Sequence, residues 1–262
     1  MMTINPRNSG KPILRTYRLV CLVLIFLLFI SSCQAELNNT KIGDRMPVQL
    51  LEKSSDHTKP AKTFLALGDS YTIGSGVESN ESWPLQLWNA LIQRDVLLDE
   101  PQIIARNGWT TQDLLQGIQQ ADLRNDYDLV TLLIGVNDQY RGISVDGYRQ
   151  RFAELLQKAV DFSGGQPNRV VVLSIPDWGA TPFAGGRDMV FVAMQIDEFN
   201  RANQQEALKA GVHYVDVTAI SRLAANQPDL LAPDQLHPSA KMYALWIEKL
   251  LPMVEPIFQL ED

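Results

Sequence analysis

The sequence predicts an α/β domain: a parallel sheet of five strands with helices on both faces. Three observations lead there. Five short apolar runs alternate strictly with segments whose apolar residues recur at helical spacing. The central run, residues 129–134, is apolar almost throughout, as a strand covered on both faces requires. About 195 residues remain once a distinctive N-terminal region is set aside, enough for one domain with a sizeable core.

The elements follow in order. Residues 63–67 form the first strand, and Gly68-Asp69-Ser70 is a turn leaving its carboxyl end. Ser82 is placed to cap a helix bearing Trp83, Leu87 and Leu91. Residues 102–105 are a second strand, running into Arg106-Asn107-Gly108-Trp109. Thr110-Thr111-Gln112-Asp113 then has the capping-box pattern, opening a helix with Leu114, Leu115 and Ile118. The third strand, 129–134, ends in Gly135-Val136-Asn137-Asp138. The next helix aligns Tyr148, Phe152, Leu155, Leu156 and Ala159, and Gly164-Gly165 closes it. Residues 169–175 are the fourth strand, followed by a Pro/Gly-rich loop, 176–186, and a long helix with Val192, Ile196 and Phe199. The fifth strand is 212–217. After a partly helical excursion comes Pro233-Asp234-Gln235-Leu236-His237-Pro238, then a closing helix with Tyr243, Ile247, Leu250 and Leu251. Crossovers between parallel strands are expected to be right-handed.

The first residues read as an export signal. Arg7, Lys11, Arg15 and Arg18 precede an apolar run, 19–30, that ends in Ser31-Ser32-Cys33. The run is too short to span a bilayer, which takes about 20 residues. Ile30-Ser31-Ser32-Cys33 also resembles the lipobox of bacterial lipoprotein precursors, which implies lipidation at Cys33 and a mature chain beginning there. Gln34 is not the aspartate that retains such proteins at the inner membrane, so the expected location is the outer membrane, facing the periplasm. The alternatives are a conventional signal cut near Ala35 and an uncleaved anchor.

The other cysteine, Cys21, lies inside the signal, so the mature chain has no intramolecular disulfide and rests on its core. The formal charge is −7, and losing the signal leaves 19 basic against 30 acidic residues. That balance argues against nucleic acid or anionic lipid as an electrostatic partner. No His-Glu-x-x-His, paired-cysteine, Gly-x-Gly-x-x-Gly or Walker pattern occurs, so neither a metal nor a nucleotide cofactor is expected.

The carboxyl ends of parallel strands share one edge of the sheet, where ligands bind in open α/β folds. Four of the five ends carry groups suited to acyl transfer. Ser70 follows the first strand, Gly108 the second and Asn137 the third, and Asp234 with His237 follow the fifth. A hydroxyl is a weak nucleophile until a base takes its proton, and histidine changes charge near neutrality. Asp234 can hold the His237 imidazole in the required tautomer. The backbone N–H groups of Ser70 and Gly108 and the Asn137 amide can serve as oxyanion donors. His57 and His213 have no such company.

Gly68-Asp69-Ser70-Tyr71, Asn107-Gly108, Gly135-Val136-Asn137-Asp138 and Asp234-Gln235-Leu236-His237-Pro238 together resemble the four sequence blocks of the SGNH hydrolases, or GDSL-type esterases, in order and spacing. The resemblance implies a flavodoxin-like three-layer α/β/α sandwich. It further implies a serine esterase with Ser70 as nucleophile, Asp234 and His237 completing the triad, and Ser70, Gly108 and Asn137 as the oxyanion hole. The resulting division is a signal at 1–32, a polar tether at 33–62, the hydrolase domain at 63–255 and a tail at 256–262. No Gly-x-Ser-x-Gly surrounds Ser70, which argues against the α/β-hydrolase nucleophile elbow.

Trp109, Tyr140, Trp178 and Phe183 lie on active-edge loops and are the expected pocket residues. The expected substrate is a small or medium acyl ester of the envelope, either a lysophospholipid-like lipid or an O-acetylated glycan. The rival reading is a non-catalytic envelope lipoprotein that keeps the fold as a binding module.

Overall fold

The computed structural model describes residues 60–259. The expected signal, Cys33, residues 34–59 of the expected tether, and residues 260–262 lie outside the described residues.

Five strands form one wholly parallel sheet: β1 (Phe64–Gly68), β2 (Gln102–Ala105), β3 (Leu129–Leu133), β4 (Val170–Leu173) and β5 (His213–Val215). Their order is β2-β1-β3-β4-β5. The α-helices among the described residues are α1 (Ser70–Ile73), α2 (Trp83–Ile92), α3 (Thr111–Gln120), α4 (Val136–Tyr140), α5 (Val145–Phe162), α6 (Met189–Ala210), α7 (Thr218–Ser221) and α8 (Ala240–Gln259). Helices α2 and α8 pack together, while α5 contacts both α3 and α6. The layers are therefore helix, sheet, helix, as the strand–helix alternation predicts.

Burial explains why the central strands read so clearly. β1, β3 and β4 are buried at every position, whereas Gln102 at the start of the edge strand β2 is exposed. Strands β3, β4 and β5 are shorter than the apolar runs that predict them. Past Leu173 the Ser174 N–H still donates to the Val215 carbonyl of β5 at 3.0 Å, but Ile175 leaves the ladder: Asn200 takes its N–H at 2.7 Å and returns a bond from its own amide to the Ile175 carbonyl at 3.0 Å.

Helix starts follow local chemistry, with one exception. Thr110 and Asp113 make the reciprocal capping box at α3, and Asp188 and Ser144 cap α6 and α5. Ser82 stands at the expected N-cap of α2 but makes no side-chain cap bond. Its hydroxyl instead donates to the Ser79 carbonyl at 2.8 Å, closing the preceding turn. Helix α8 runs through Pro252 and Pro256 to Gln259, past the boundary expected at 255, and buries Ile257 and Phe258. Among the described residues no helix is long and apolar enough to cross a membrane.

The strand order fixes where a site can form. From β1 the chain steps outward to β2, and then crosses back over β1 to β3. The connections leaving the carboxyl ends of β1 and β3 thus diverge, opening a crevice between them. Gly68 pairs with Leu133 in register, so Ser70 and Asn137 emerge on either side of that crevice.

Candidate active site

Ser70 is the first residue of α1, and only 7% of it is exposed. Its N–H belongs to the set at a helix start that no helical carbonyl can take. The preceding strand and this short helix meet very tightly. A methyl group at Gly68 would lie 2.1 Å from Thr72 Oγ1 and 2.6 Å from the Leu133 carbonyl oxygen. Only glycine fits there, which ties Ser70 to the sheet at fixed distance.

Asp69 caps α1: its Oδ1 accepts from the Tyr71 N–H at 3.0 Å. Its other oxygen is buried with no hydrogen-bond partner. Burial pushes this carboxyl up to about 8, against the pull of the Tyr71 N–H, so the group beside the serine is a neutral acid at pH 7.

The β2–α3 turn is pinned from both sides. The Ser75 hydroxyl donates to Asn107 Oδ1, and the Asn137 amide donates to the Trp109 carbonyl at 2.9 Å. Gly108 lies between them with φ +76°, a conformation that glycine adopts freely, and its carbonyl accepts from Arg141 Nη2 at 2.7 Å. One N–H of the Asn137 amide is thereby engaged and a second remains.

Asp138 does more than shape a turn. It is fully buried, and it accepts from the Thr111 N–H at 2.8 Å and the Thr111 hydroxyl at 2.6 Å, with Arg151 at 3.5 Å. Burial pushes its carboxyl up, against the opposing effect of Thr111 and Arg151. The result is a clasp between the start of α3, which the Gly108 turn leads into, and α4, which carries Asn137.

Asp234 and His237 sit on a loop closed on itself. The Ala232 N–H donates to the His237 carbonyl at 2.8 Å, and the Ser239 N–H to the Leu230 carbonyl at 2.8 Å. Asp234 Oδ1 accepts from the N–H groups of Leu236 and His237, each at 3.0 Å, while its Oδ2 meets His237 Nδ1 at 2.6 Å. Burial raises the Asp234 carboxyl, but these hydrogen bonds outweigh it and hold the group below the usual carboxylate range. It is therefore an anion, aimed at one ring nitrogen of the histidine.

Two further residues support this pair. Tyr71 meets the His237 ring edge-on, with centroids 5.4 Å apart, and its carbonyl accepts from the Tyr243 hydroxyl at 2.9 Å. Gly76, at φ +87°, lies behind the carboxylate: an added methyl would stand 2.7 Å from Ala232 Cβ and 3.2 Å from Asp234 Oδ2. Sequence reasoning missed Gly76, and the Gly-Ser-Gly spacing at 74–76 was the signal available.

Ser70, Asn137 and His237 line one cavity of about 120 Å³ together with Tyr71, Val136, Tyr140, Trp178, Phe183 and Leu236. Of the expected pocket residues, Tyr140, Trp178 and Phe183 are there, in mutual aromatic contact at 5.3–6.3 Å. Trp109 is not. Its ring lies against Gly117 in the body of α3, where a methyl group would come within 2.3 Å of it. The small residue on the helix opens a slot that takes the indole away from the cavity. Tyr71, Val136 and Leu236 complete the lining, and none of these was legible as a pocket residue from composition alone. His213 meets the Asn168 carbonyl at 3.1 Å at the other end of the sheet. Among the described residues no three His, Cys, Asp or Glu side chains gather as metal ligands would.

The Ser70 hydroxyl, the His237 imidazole backed by Asp234 and the Asn137 side chain thus meet at one small cavity. The GDSL-like Lipase/Acylhydrolase model matches residues 66–245, and the chain belongs to that family, as a carboxylic ester hydrolase. The fold is similar to that of a putative GDSL-like lipase from Parabacteroides merdae, at 17% identity and TM-score 0.60 over 75% of this chain and 98% of that one. It is also similar to the psychrotrophic esterase EstA from Pseudoalteromonas sp., at 19% and 0.56 over 77% and 100%. The acetylxylan esterase Axe2 from Geobacillus stearothermophilus matches at 18% and 0.57 over 74% and 94%. At these identities the likeness is one of fold. No curated protein sequence matches the chain.

Proposed function

We propose that the chain hydrolyses a small or medium acyl ester through an acyl-enzyme formed on Ser70. His237 takes the hydroxyl proton as Ser70 Oγ bonds to the ester carbonyl carbon. The carbonyl electrons move onto oxygen, and the N–H groups of Ser70 and Gly108 with the Asn137 amide face the charge that develops. As the carbon–oxygen bond to the alcohol breaks, His237 returns the proton to the leaving group. Water repeats the sequence, His237 acting again as base, and releases the acid. Asp234 remains ionised throughout, orienting the ring and stabilising its charged form.

The observation that carries this reading is the convergence of Ser70, Asn137 and His237 on one cavity, with His237 Nδ1 already taken by Asp234. That leaves Nε2 for the serine. Ser70→Ala is expected to abolish p-nitrophenyl acetate hydrolysis, a loss of at least ~10³-fold, and to prevent labelling by a fluorophosphonate. The circular dichroism spectrum is expected to stay unchanged. Retained turnover in a folded variant would remove Ser70 from the chemistry.

The envelope location belongs to the same proposal. It rests on the basic, apolar and Ser-Ser-Cys succession at 7–33, and places the chain in the outer membrane, anchored through lipid at Cys33 and facing the periplasm. Its substrate is then a lysophospholipid-like lipid or an O-acetylated glycan. Cys33→Ala is expected to abolish incorporation of labelled palmitate and to move the protein from the membrane to the soluble fraction. Unchanged fractionation would count against the anchor.

A further inference from the structure

Trp178 lines the catalytic cavity, yet it is only 2% exposed, so its ring is a wall of that space rather than a lid over it. A chain of hydrogen bonds from two other elements holds it there. Its Nε1–H donates to Gln139 Oε1 at 2.7 Å, and the Gln139 amide donates to Gln195 Oε1 at 2.9 Å. An indole nitrogen can only donate, so it fixes which way round the buried Gln139 amide lies and turns the N–H groups toward Gln195. Gln139 stands on α4, two residues beyond Asn137, and Gln195 stands on α6. Burial of a tryptophan does not by itself require such a bond. Trp83 and Trp246 are completely buried, and their indole nitrogens have no hydrogen-bond partner among the described residues. Those two are packed, whereas Trp178 is anchored.

The backbone beneath the ring is fixed as well. Asp177 donates its N–H to Ser221 Oγ at 2.8 Å, accepts from the Gly179 N–H at 2.9 Å and from Arg222 Nε at 2.9 Å. The Thr181 hydroxyl donates to the Trp178 carbonyl at 2.7 Å, and a methyl group at Gly179 would lie 2.8 Å from Val192. Tyr140 and Phe183 meet the indole edge-on, with centroids 5.3 and 6.1 Å away. Ring and loop are therefore tied to α4, α6 and α7 at once. The cavity they bound is about 120 Å³. An apolar cavity of ~150 Å³ takes a benzene ring, so an ester carbonyl at Ser70 leaves room for an acyl group of about four carbons at most. The alcohol departs past His237 on its exposed loop, which leaves the apolar wall of Tyr140, Trp178 and Phe183 to the acid.

We propose that Gln139 is a positioning residue for specificity: by holding the Trp178 indole as a fixed end wall, it limits the site to esters of short acids, from acetyl to about butyryl. Gln139 touches no reacting atom in this role and acts only through the ring. The proposal rests on the ester-hydrolase reading of the site and deepens it, favouring the acetylated substrate over the lipid.

The test measures kcat/KM for p-nitrophenyl acetate, butyrate and octanoate, each below its micelle concentration, with full-length protein. All three esters meet the same folded molecules, so their ratios are insensitive to partial misfolding of a variant. The wild type is expected to prefer butyrate to octanoate by about ten-fold or more, the order by which a fixed apolar pocket rejects excess methylenes. Gln139→Met keeps the length of the side chain but removes the acceptor, and is expected to lower that ratio about five-fold as the unpaired indole shifts. Gln139→Glu keeps an oxygen for the indole N–H, and is expected to hold the ratio within about two-fold of wild type. Trp178→Ala removes the wall itself and is expected to abolish the preference. A series of alkyl acetates is expected to give the same profile for wild type and Gln139→Met. A wild type that prefers octanoate overturns the proposal, as does a Gln139→Met ratio equal to that of wild type, whatever Trp178→Ala does. A Gln139→Glu ratio as low as that of Gln139→Met overturns it too, since the hydrogen bond is then not the cause. So does a shift confined to the alkyl acetates, which would assign the wall to the alcohol. Hydrolysis of no ester by the wild type would instead overturn the esterase reading beneath it.

Discussion

The two ends of the proposed proton path are built in opposite ways. Ser70 is buried at the junction of β1 and α1, and its surroundings are held by residues distant in sequence: Gly68 against Leu133, and Asp138 against Thr111 and Arg151. His237 stands on an exposed loop whose bonds are almost all local, from Asp234 to its own neighbours and from Ala232 to His237. The nucleophile is placed by the sheet, and the base is placed by its own turn. Structural stability is therefore expected to reside at the first end, with the second end tuned for chemistry. A base on a locally closed loop can be disturbed without loosening the core, whereas a change beside the serine disturbs both.

The largest expected effect tests the exposed end. His237→Ala should lower kcat/KM for p-nitrophenyl acetate by about 10⁴-fold, or roughly 5 kcal/mol of transition-state stabilisation. The unfolding free energy from urea titration should remain within ~1 kcal/mol of wild type, since the change removes only the contacts with Asp234 and the Tyr71 ring, the first of them on a partly exposed local turn. A large loss of stability would show that the loop is structural after all.

Asp138→Ala should do the reverse. It leaves Thr111 without its acceptor and Arg151 without a partner carboxylate at the buried clasp, and is expected to destabilise the fold by about 3 kcal/mol in urea titration. Its effect on turnover should be smaller than that of His237→Ala, because the triad groups themselves are untouched. Equal losses of activity in the two variants would erase the contrast.

The smallest effect is a change of slope. With its carboxyl raised to about 8, Asp69 keeps a proton in the folded chain that an unfolded carboxylate releases near pH ~4. Its contribution to stability is therefore present below that pH and lost progressively as pH rises to about 8. Asp69→Asn carries no titrating proton, so its melting temperature should decline less than that of wild type between pH 5 and 8. Parallel curves for the two proteins would show that Asp69 does not titrate there.

Some of this was already determined by the order of residues along the chain. Apolar periodicity is a local property, and it specified the alternation of strands and helices, the central position of residues 129–134, and the capping box at Thr110. Because every strand of a parallel sheet points the same way, the same pattern also put Ser70, Gly108, Asn137, Asp234 and His237 on one edge. Tertiary structure decided what depends on residues meeting from far apart. It turned Trp109 onto Gly117 and brought Tyr71, Val136 and Leu236 to the cavity instead. It made Asp69 and Asp138 buried carboxyls rather than turn formers, and set Gly76 behind Asp234. Exposure and close approach are properties of pairs of surfaces, and no window along a single segment contains both members of the pair.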